Sequence, residues 1–257
     1  PKLESLKLNR ILSADSLANV KKLKELTLDT DLTRGDELEN IFKNNKNMTK
    51  IHLSWPKTET MQLIAKYLTK LKTLEVKKAT ANFLLRENNN IVVYKLPSVT
   101  QFSFSFNTMN ELFRNGNLSF DMPELKKLTI KGHAADARII NFIKHFKKLE
   151  KLELLVIIYN SVECLGKLHH IKEITTLFHG IKFDSLENMF KNFDEESELQ
   201  ILKFVDFDES FYEIYENEMI RINRNLEQSE KSKWALSHVE HIEIVQKYLM
   251  LRRVPSK

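Results

Sequence analysis

Glycine is scarce in this sequence, five among 257 residues, which disfavours folds built on glycine-rich phosphate loops or on many tight two-residue hairpins. Cysteine occurs once, as Cys164. A lone thiol excludes an intrachain disulfide framework and points to a reducing compartment, cytoplasmic or nuclear. Long apolar runs are missing too: the longest, Leu154 to Tyr159, is strand-sized, far below the roughly 18 to 20 residues that cross a bilayer. No membrane span is expected. Neither sign of charge dominates, since 40 basic and 35 acidic side chains leave a net +5. Basic clusters at Lys21-Lys22-Lys24, Lys43 to Lys50 and Lys144 to Lys151 alternate with apolar positions and read as solvated helix faces, so nucleic-acid binding is not implied.

The motifs of common chemistries are absent as well. No P-loop, GxGxxG, GxSxG or HExxH occurs, and no enzymatic activity, cofactor or metal is expected. His169-His170, with His179 nearby, invite a metal reading, but adjacent residues on a strand point to opposite sides and no carboxylate or Cys/His pair stands at ligand spacing. Cys164 falls in the apolar stretch Val162 to Leu168, where a small buried hydrophobe is its natural role.

What is present is a repeat. Apolar residues recur at positions 1, 4 and 6 of a unit, clearest in Leu23, Leu26 and Leu28 of LKELTL. The same pattern appears in Leu3/Leu6/Leu8, Met48/Ile51/Leu53, Leu71/Leu74/Val76, Val99/Phe102/Phe104, Leu125/Leu128/Ile130, Leu149/Leu152/Leu154, Ile171/Ile174 with Thr176 third, and Leu199/Leu202/Phe204. These units recur about every 24 to 25 residues, inside the 20 to 29 window of leucine-rich repeats. Positions 4 and 6 point to one side of a strand and position 1 closes the turn into it, so each unit buries a short strand against its neighbours. Between the strands, Thr58 to Leu71, with Thr58 as N-cap, Ala135 to Phe146 and Asp184 to Phe193 carry apolar residues at helical spacing. The expected fold class is α/β, a leucine-rich-repeat solenoid or horseshoe with a parallel sheet on its concave face and helices on its convex face. Residues 1–207 form about nine units. Residues 208–257 are an insertion and capping segment, helical around Phe211 to Met219, with a last repeat at 239–251.

With strands such as LKKLTI and LEKLEL, residues 1 to 207 resemble the leucine-rich-repeat part of F-box-type proteins. That resemblance implies a horseshoe recruiting a substrate protein, and an F-box upstream that docks on a ubiquitin-ligase adaptor. No F-box lies in this chain; Pro1 falls inside a patterned segment, and the sequence reads as a fragment. Many such repeats also place Asn or Cys three residues after the last strand position. Here only Asn107, and less well Asp31, fit, so the loops are expected to rest mainly on apolar packing. The rival readings are an intracellular scaffold unrelated to ubiquitin and a secreted or receptor-type domain; the sequons at Asn47 and Asn117 belong to the latter.

Positions 3, 5 and 7 of each unit are expected to line the concave face. Early units present mixed polar residues there, then Gln101, Ser103 and Ser105 are neutral and Lys127 and Lys131 basic. From the seventh unit apolar residues intrude: Leu155, Leu177, Ile201 and Val205. Solvent alone disfavours these, so the expected protein-binding site is this apolar centre with Lys127, Lys131 and Lys151 at its edge. The competing expectation is that Asp208 to Trp234 folds back over it as an internal cap.

Overall fold

The computed structural model describes residues 3–8, 20–29, 35–79, 93–106, 119–135, 138–158, 162–177, 182–192, 197–205, 212–228, 234–237 and 248–253. The chain is mixed α/β, with mostly parallel sheet, and divides into two compact units, Pro1–His133 and Ala134–Lys257.

In the first unit six strands lie side by side: β1 (Ser5–Leu8), β2 (Glu25–Asp29), β3 (Lys50–Ser54), β4 (Thr73–Ala79), β6 (Gln101–Phe106) and β8 (Lys127–Ala135). All neighbours are parallel, and the register puts the repeat positions in rows: Leu6, Leu26, Ile51, Leu74, Phe102 and Leu128 form one, Leu8, Leu28, Leu53, Val76, Phe104 and Ile130 another. From Leu26 to Ile130 these side chains are at most 3% exposed. Helices α1 (Gly35–Asn44) and α2 (Thr58–Tyr67) bury Leu38, Ile41 and Phe42, and Met61 and Ile64. Thr58 is not the N-cap of α2. Lys57 takes that place with an extended backbone and no side-chain cap bond, so Thr58 becomes the first helical residue. A small ladder, β5 (Val93–Lys95) with β7 (Ser119–Asp121), brings Tyr94 against Phe120, whose ring centroid lies 5.0 Å from that of Phe102. Three-residue strands carry too few alternations to be read from sequence.

The second unit has β9 (Lys151–Ile158), β10 (Glu173–Leu177) and β11 (Ile201–Val205) in parallel, then β13 (Tyr248–Arg253) antiparallel to β11 and β12 (Trp234–Ser237) antiparallel to β13. Residues 238–247, which hold the expected strand Val239/Ile242/Ile244, lie outside the described residues. Helix α3 (Arg138–Ile143) is shorter than the Ala135 to Phe146 span expected, because β8 continues through Ala135 and the chain turns at His145 and Phe146. A 3-10 helix (Val162–Lys167), α4 (Phe183–Asn192) and α5 (Tyr212–Gln228) complete the unit.

Most described steps repeat the same backbone bonds. Position 1 donates its N–H to the carbonyl three residues earlier, as in Met48 to Asn45, Leu71 to Leu68, Val99 to Leu96, Leu125 to Met122, Leu149 to Phe146 and Ile171 to Leu168, at 3.0–3.3 Å. The next two N–H groups share one carbonyl of the preceding unit. Glu4 O accepts from Lys24 and Glu25, Lys24 O from Thr49 and Lys50, Thr49 O from Lys72 and Thr73, and Lys72 O from Thr100 and Gln101. In the second unit Glu150 O serves Lys172 and Glu173, and Lys172 O serves Gln200 and Ile201. The loops entering the strands are thus hydrogen-bonded as well as packed, and the recurrence satisfies backbone groups that burial would otherwise penalise; Asp31 and Asn107, in the loops that leave the strands, lie outside the described residues.

One position breaks the repeat chemistry. Thr176 stands at position 6 of its unit, is 0% exposed, and its Oγ1 makes no hydrogen bond. A buried hydroxyl without a partner costs on the order of 1 kcal/mol or more. Thr176→Val, nearly the same shape without the hydroxyl, is expected to stabilise the protein by about 1 kcal/mol and raise its melting temperature by about 3 °C. Thermal melts of the two proteins check this; a lower melting temperature for the valine variant would show that the hydroxyl is satisfied in solution.

Candidate protein-docking face

In both units the strands alternate a fully buried side chain with a half-exposed one. The half-exposed residues stand at positions 3, 5 and 7, on the opposite side of the sheet from the core, because strand side chains alternate with period two. The structure places Lys127 and Lys131 on β8 in the first unit, and Lys151, Leu155, Leu177, Ile201 and Val205 in the second.

Within the second unit the register sorts the predicted residues into separate rows. Leu177 pairs with Val205, and Leu155 and Leu177 each follow the last paired residues of their strands, Leu154 and Thr176. These three form an apolar row about 10 Å long across three strands, given a strand spacing near 4.8 Å. The backbone of Tyr248 pairs with Val205 in register. Ile201 is not part of this row. It sits four residues away along β11, about 13 Å at the usual rise, flanked by Glu173 and Arg252.

The row that Ile201 joins is held by ions. Lys203 Nζ donates to Glu173 Oε1 at 2.9 Å, and Lys151 Nζ lies 3.0 Å from Glu173 Oε2. Burial pushes the Glu173 carboxyl up, but the two ammonium groups outweigh it and hold the group below its ordinary value; Glu173 in turn raises Lys151. Lys151 is therefore already engaged by an acid of its own sheet. Glu173, Lys203 and the half-exposed Met250, which pairs with Lys203, were missed in the sequence reading. The same position rule would have found the first two. Met250 had no such signal, because it reaches this face only through the antiparallel return of β13.

The expected fold-back of residues 208–234 is corrected in its described part. Helix α5 lies against α4: Arg221 Nη1 donates to Glu187 Oε2 at 3.1 Å, Asn225 Nδ2 donates to both Glu187 oxygens at 3.2 Å, and Met219, Ile222 and Leu226 are buried. With only 11% of its side chain exposed, Glu187 needs these donors and Lys191, which together keep its carboxyl below the ordinary range. An amphipathic helix docks where its apolar stripe and its ion pairs are both satisfied, and α4 supplies both.

In the first unit the outward face carries a charged ladder. Lys50 Nζ is 3.0 Å from Glu25, His52 lies between Glu25, at 3.4 Å, and Glu75, with which it makes a short contact, and Lys77 is 3.5 Å from Glu75. The hydrogen bond from Lys50 leads in lowering Glu25; burial raises Glu75, but His52 and Lys77 lower it overall.

His169 and His170 stand in the turn before β10 and not on a strand. His170 Nε2 meets the Phe146 carbonyl at 3.2 Å, and burial, opposed by that bond, lowers its pKa. Cys164 is half-buried in the 3-10 helix. Among the described residues no group of three or more His, Cys, Asp or Glu is placed to hold a metal ion, and no helix is long and apolar enough to cross a membrane.

No family model and no curated protein matches the chain. Among solved structures it is similar to a Bacteroides fragilis protein at 14% identity and a TM-score of 0.42, over 78% of this chain and 76% of that one.

Proposed function

We propose that the chain is a leucine-rich-repeat module that recruits another protein through the outward strand face of its second unit. The observation that carries this reading is the row Leu155, Leu177 and Val205: three apolar side chains, adjacent and half-exposed, at positions where solvent favours polar groups. The ion-paired cluster of Lys151, Glu173 and Lys203, toward the start of the same strands, supplies a polar border, the arrangement of an interface with an apolar centre. A bound segment would cover the apolar row and leave Glu173 with its two lysines.

The narrower form of the proposal is that the recruited protein is a substrate of a ubiquitin ligase. It rests on the resemblance of LKKLTI and LEKLEL to the repeats of F-box-type proteins, and co-precipitation of a ligase adaptor with the full-length protein tests it. Absence of an adaptor would favour the scaffold reading.

Replacing Leu177 and Val205 together by serine is expected to abolish affinity capture of the partner from source cells while the melting temperature stays within about 2 °C, as for substitutions on an open surface. A partner retained by the double variant, or a large drop in melting temperature, would overturn the assignment and make these residues part of the protein's own packing.

A further inference from the structure

The first unit offers a different surface with a different chemistry. Along β2, β3 and the body of β4 the outward carboxylates Glu25 and Glu75 are met within these three strands: Glu25 by Lys50, Glu75 by Lys77, with the His52 ring between the two. Beyond β4 the outward strand positions of this unit carry no acid of their own. The outward positions of β6 and β8 are Gln101, Ser103, Ser105, Lys127, Thr129 and Lys131, with no carboxylate among them. Lys131 is exposed and pairs in register with Ser105, and the hydroxyl of Ser105 accepts the backbone N–H of Lys78 at 3.1 Å. Lys78 and Lys131 thus flank Ser105, from strands about 10 Å apart at two strand spacings. Neither lysine has an ion-pair partner among the described residues.

An aromatic group stands at the same end of the sheet. Trp55 follows β3 as Lys78 falls at the end of β4, at equivalent places in successive repeats, and both adopt a φ of 54°. That left-handed region is rarely occupied by residues other than glycine and persists only where the surroundings impose it. Here the Trp55 N–H donates to the Lys77 carbonyl at 3.0 Å, and the Lys78 ammonium lies 5.4 Å from the indole centroid. The half-buried indole and the exposed ammonium are held together at the strand ends.

From this geometry we infer that the ends of β4, β6 and β8 dock an acidic peptide segment. Its carboxylates meet Lys78 and Lys131, its polar groups meet the Ser103 and Ser105 hydroxyls, and an apolar side chain lies against Trp55. Charge complementarity selects the partner, because the patch lacks the internal acids that quench the neighbouring ladder. This goes beyond the function proposed above, which concerns other residues in the other unit.

The test is fluorescence anisotropy with a labelled dodecapeptide of Asp and Glu bearing one central Phe, against its Asn/Gln counterpart, at low and physiological salt. The acidic peptide is expected to bind, more weakly as salt rises, and the double variant Lys78→Glu/Lys131→Glu to lose about tenfold in affinity, since two charge reversals at roughly 0.7 kcal/mol each make one decade. Lys46→Glu, an exposed reversal in the turn after α1, is expected to leave binding within about twofold, as a charge beyond a Debye length does. The Leu177/Val205 serine variant should bind like the parent, which separates this surface from the other. Equal loss in the Lys46 variant, equal binding of the Asn/Gln peptide, or tighter binding of a single-stranded oligonucleotide of matched charge would overturn the proposal.

Discussion

Asn45→Ala is expected to cost about 3 kcal/mol, the sum of several buried polar groups losing their partners at roughly 1 kcal/mol or more each. Asn45 is 2% exposed and uses its whole amide: Oδ1 accepts the Leu23 N–H at 2.8 Å, and Nδ2 donates to the carbonyls of Val20 and Ile41, both at 2.9 Å. One side chain thereby fastens the end of α1 to the loop entering β2. The equivalent positions of other repeats are Leu68, Leu96, Met122, Phe146 and Leu168, all buried. A repeat consensus would thus recommend Asn45→Leu. We expect that change also to destabilise, by about 2 kcal/mol, because the added apolar burial does not replace the bond to a buried N–H. Denaturant unfolding of the three proteins decides the matter; a leucine variant as stable as the parent would show that packing, not the amide, holds this corner.

The second large effect is expected at Gly166, where local and tertiary physics give opposite signs. Gly→Ala in a helical turn normally stabilises by about 0.4–1 kcal/mol, because it restricts the unfolded chain. Here a Cβ would stand 2.6 Å from the Met189 carbonyl oxygen and 2.7 Å from Asn192 Cβ. Neither atom can be moved by a rotamer change, so the 3-10 helix and α4 must separate. Overpacking of this kind costs about 1–3 kcal/mol, and we expect Gly166→Ala to lose about 2 kcal/mol net, with Lys167→Ala, exposed next door, close to neutral. Thermal and denaturant unfolding would detect this easily, and an unchanged midpoint for the alanine variant would mean that the contact relaxes. The scarcity of glycine gives this one a meaning: it marks where two backbones meet.

The candidate face was legible in the sequence residue by residue but not as a surface. Leu155, Leu177 and Val205 were identified from position alone, since period two decides which side of a strand each residue faces. The same rule grouped Ile201 with them, although register puts it near Glu173 and Arg252. It also offered Lys151 as a basic rim without showing that Glu173 claims it. Composition gave no sign of Asn45, one among many asparagines, whose role depends on three backbone groups up to 25 residues away.

From the sequence alone came the nine strands, their buried and open sides, and a repeat of about 24 to 25 residues, because these follow from alternation within a few neighbouring residues. The tertiary structure alone decided which side chains meet across strands, where α5 docks, and that β13 and β12 follow β11 by antiparallel pairing. These depend on the length and course of the connecting segments, which set the register, and no local pattern of polar and apolar residues encodes a distance between strands.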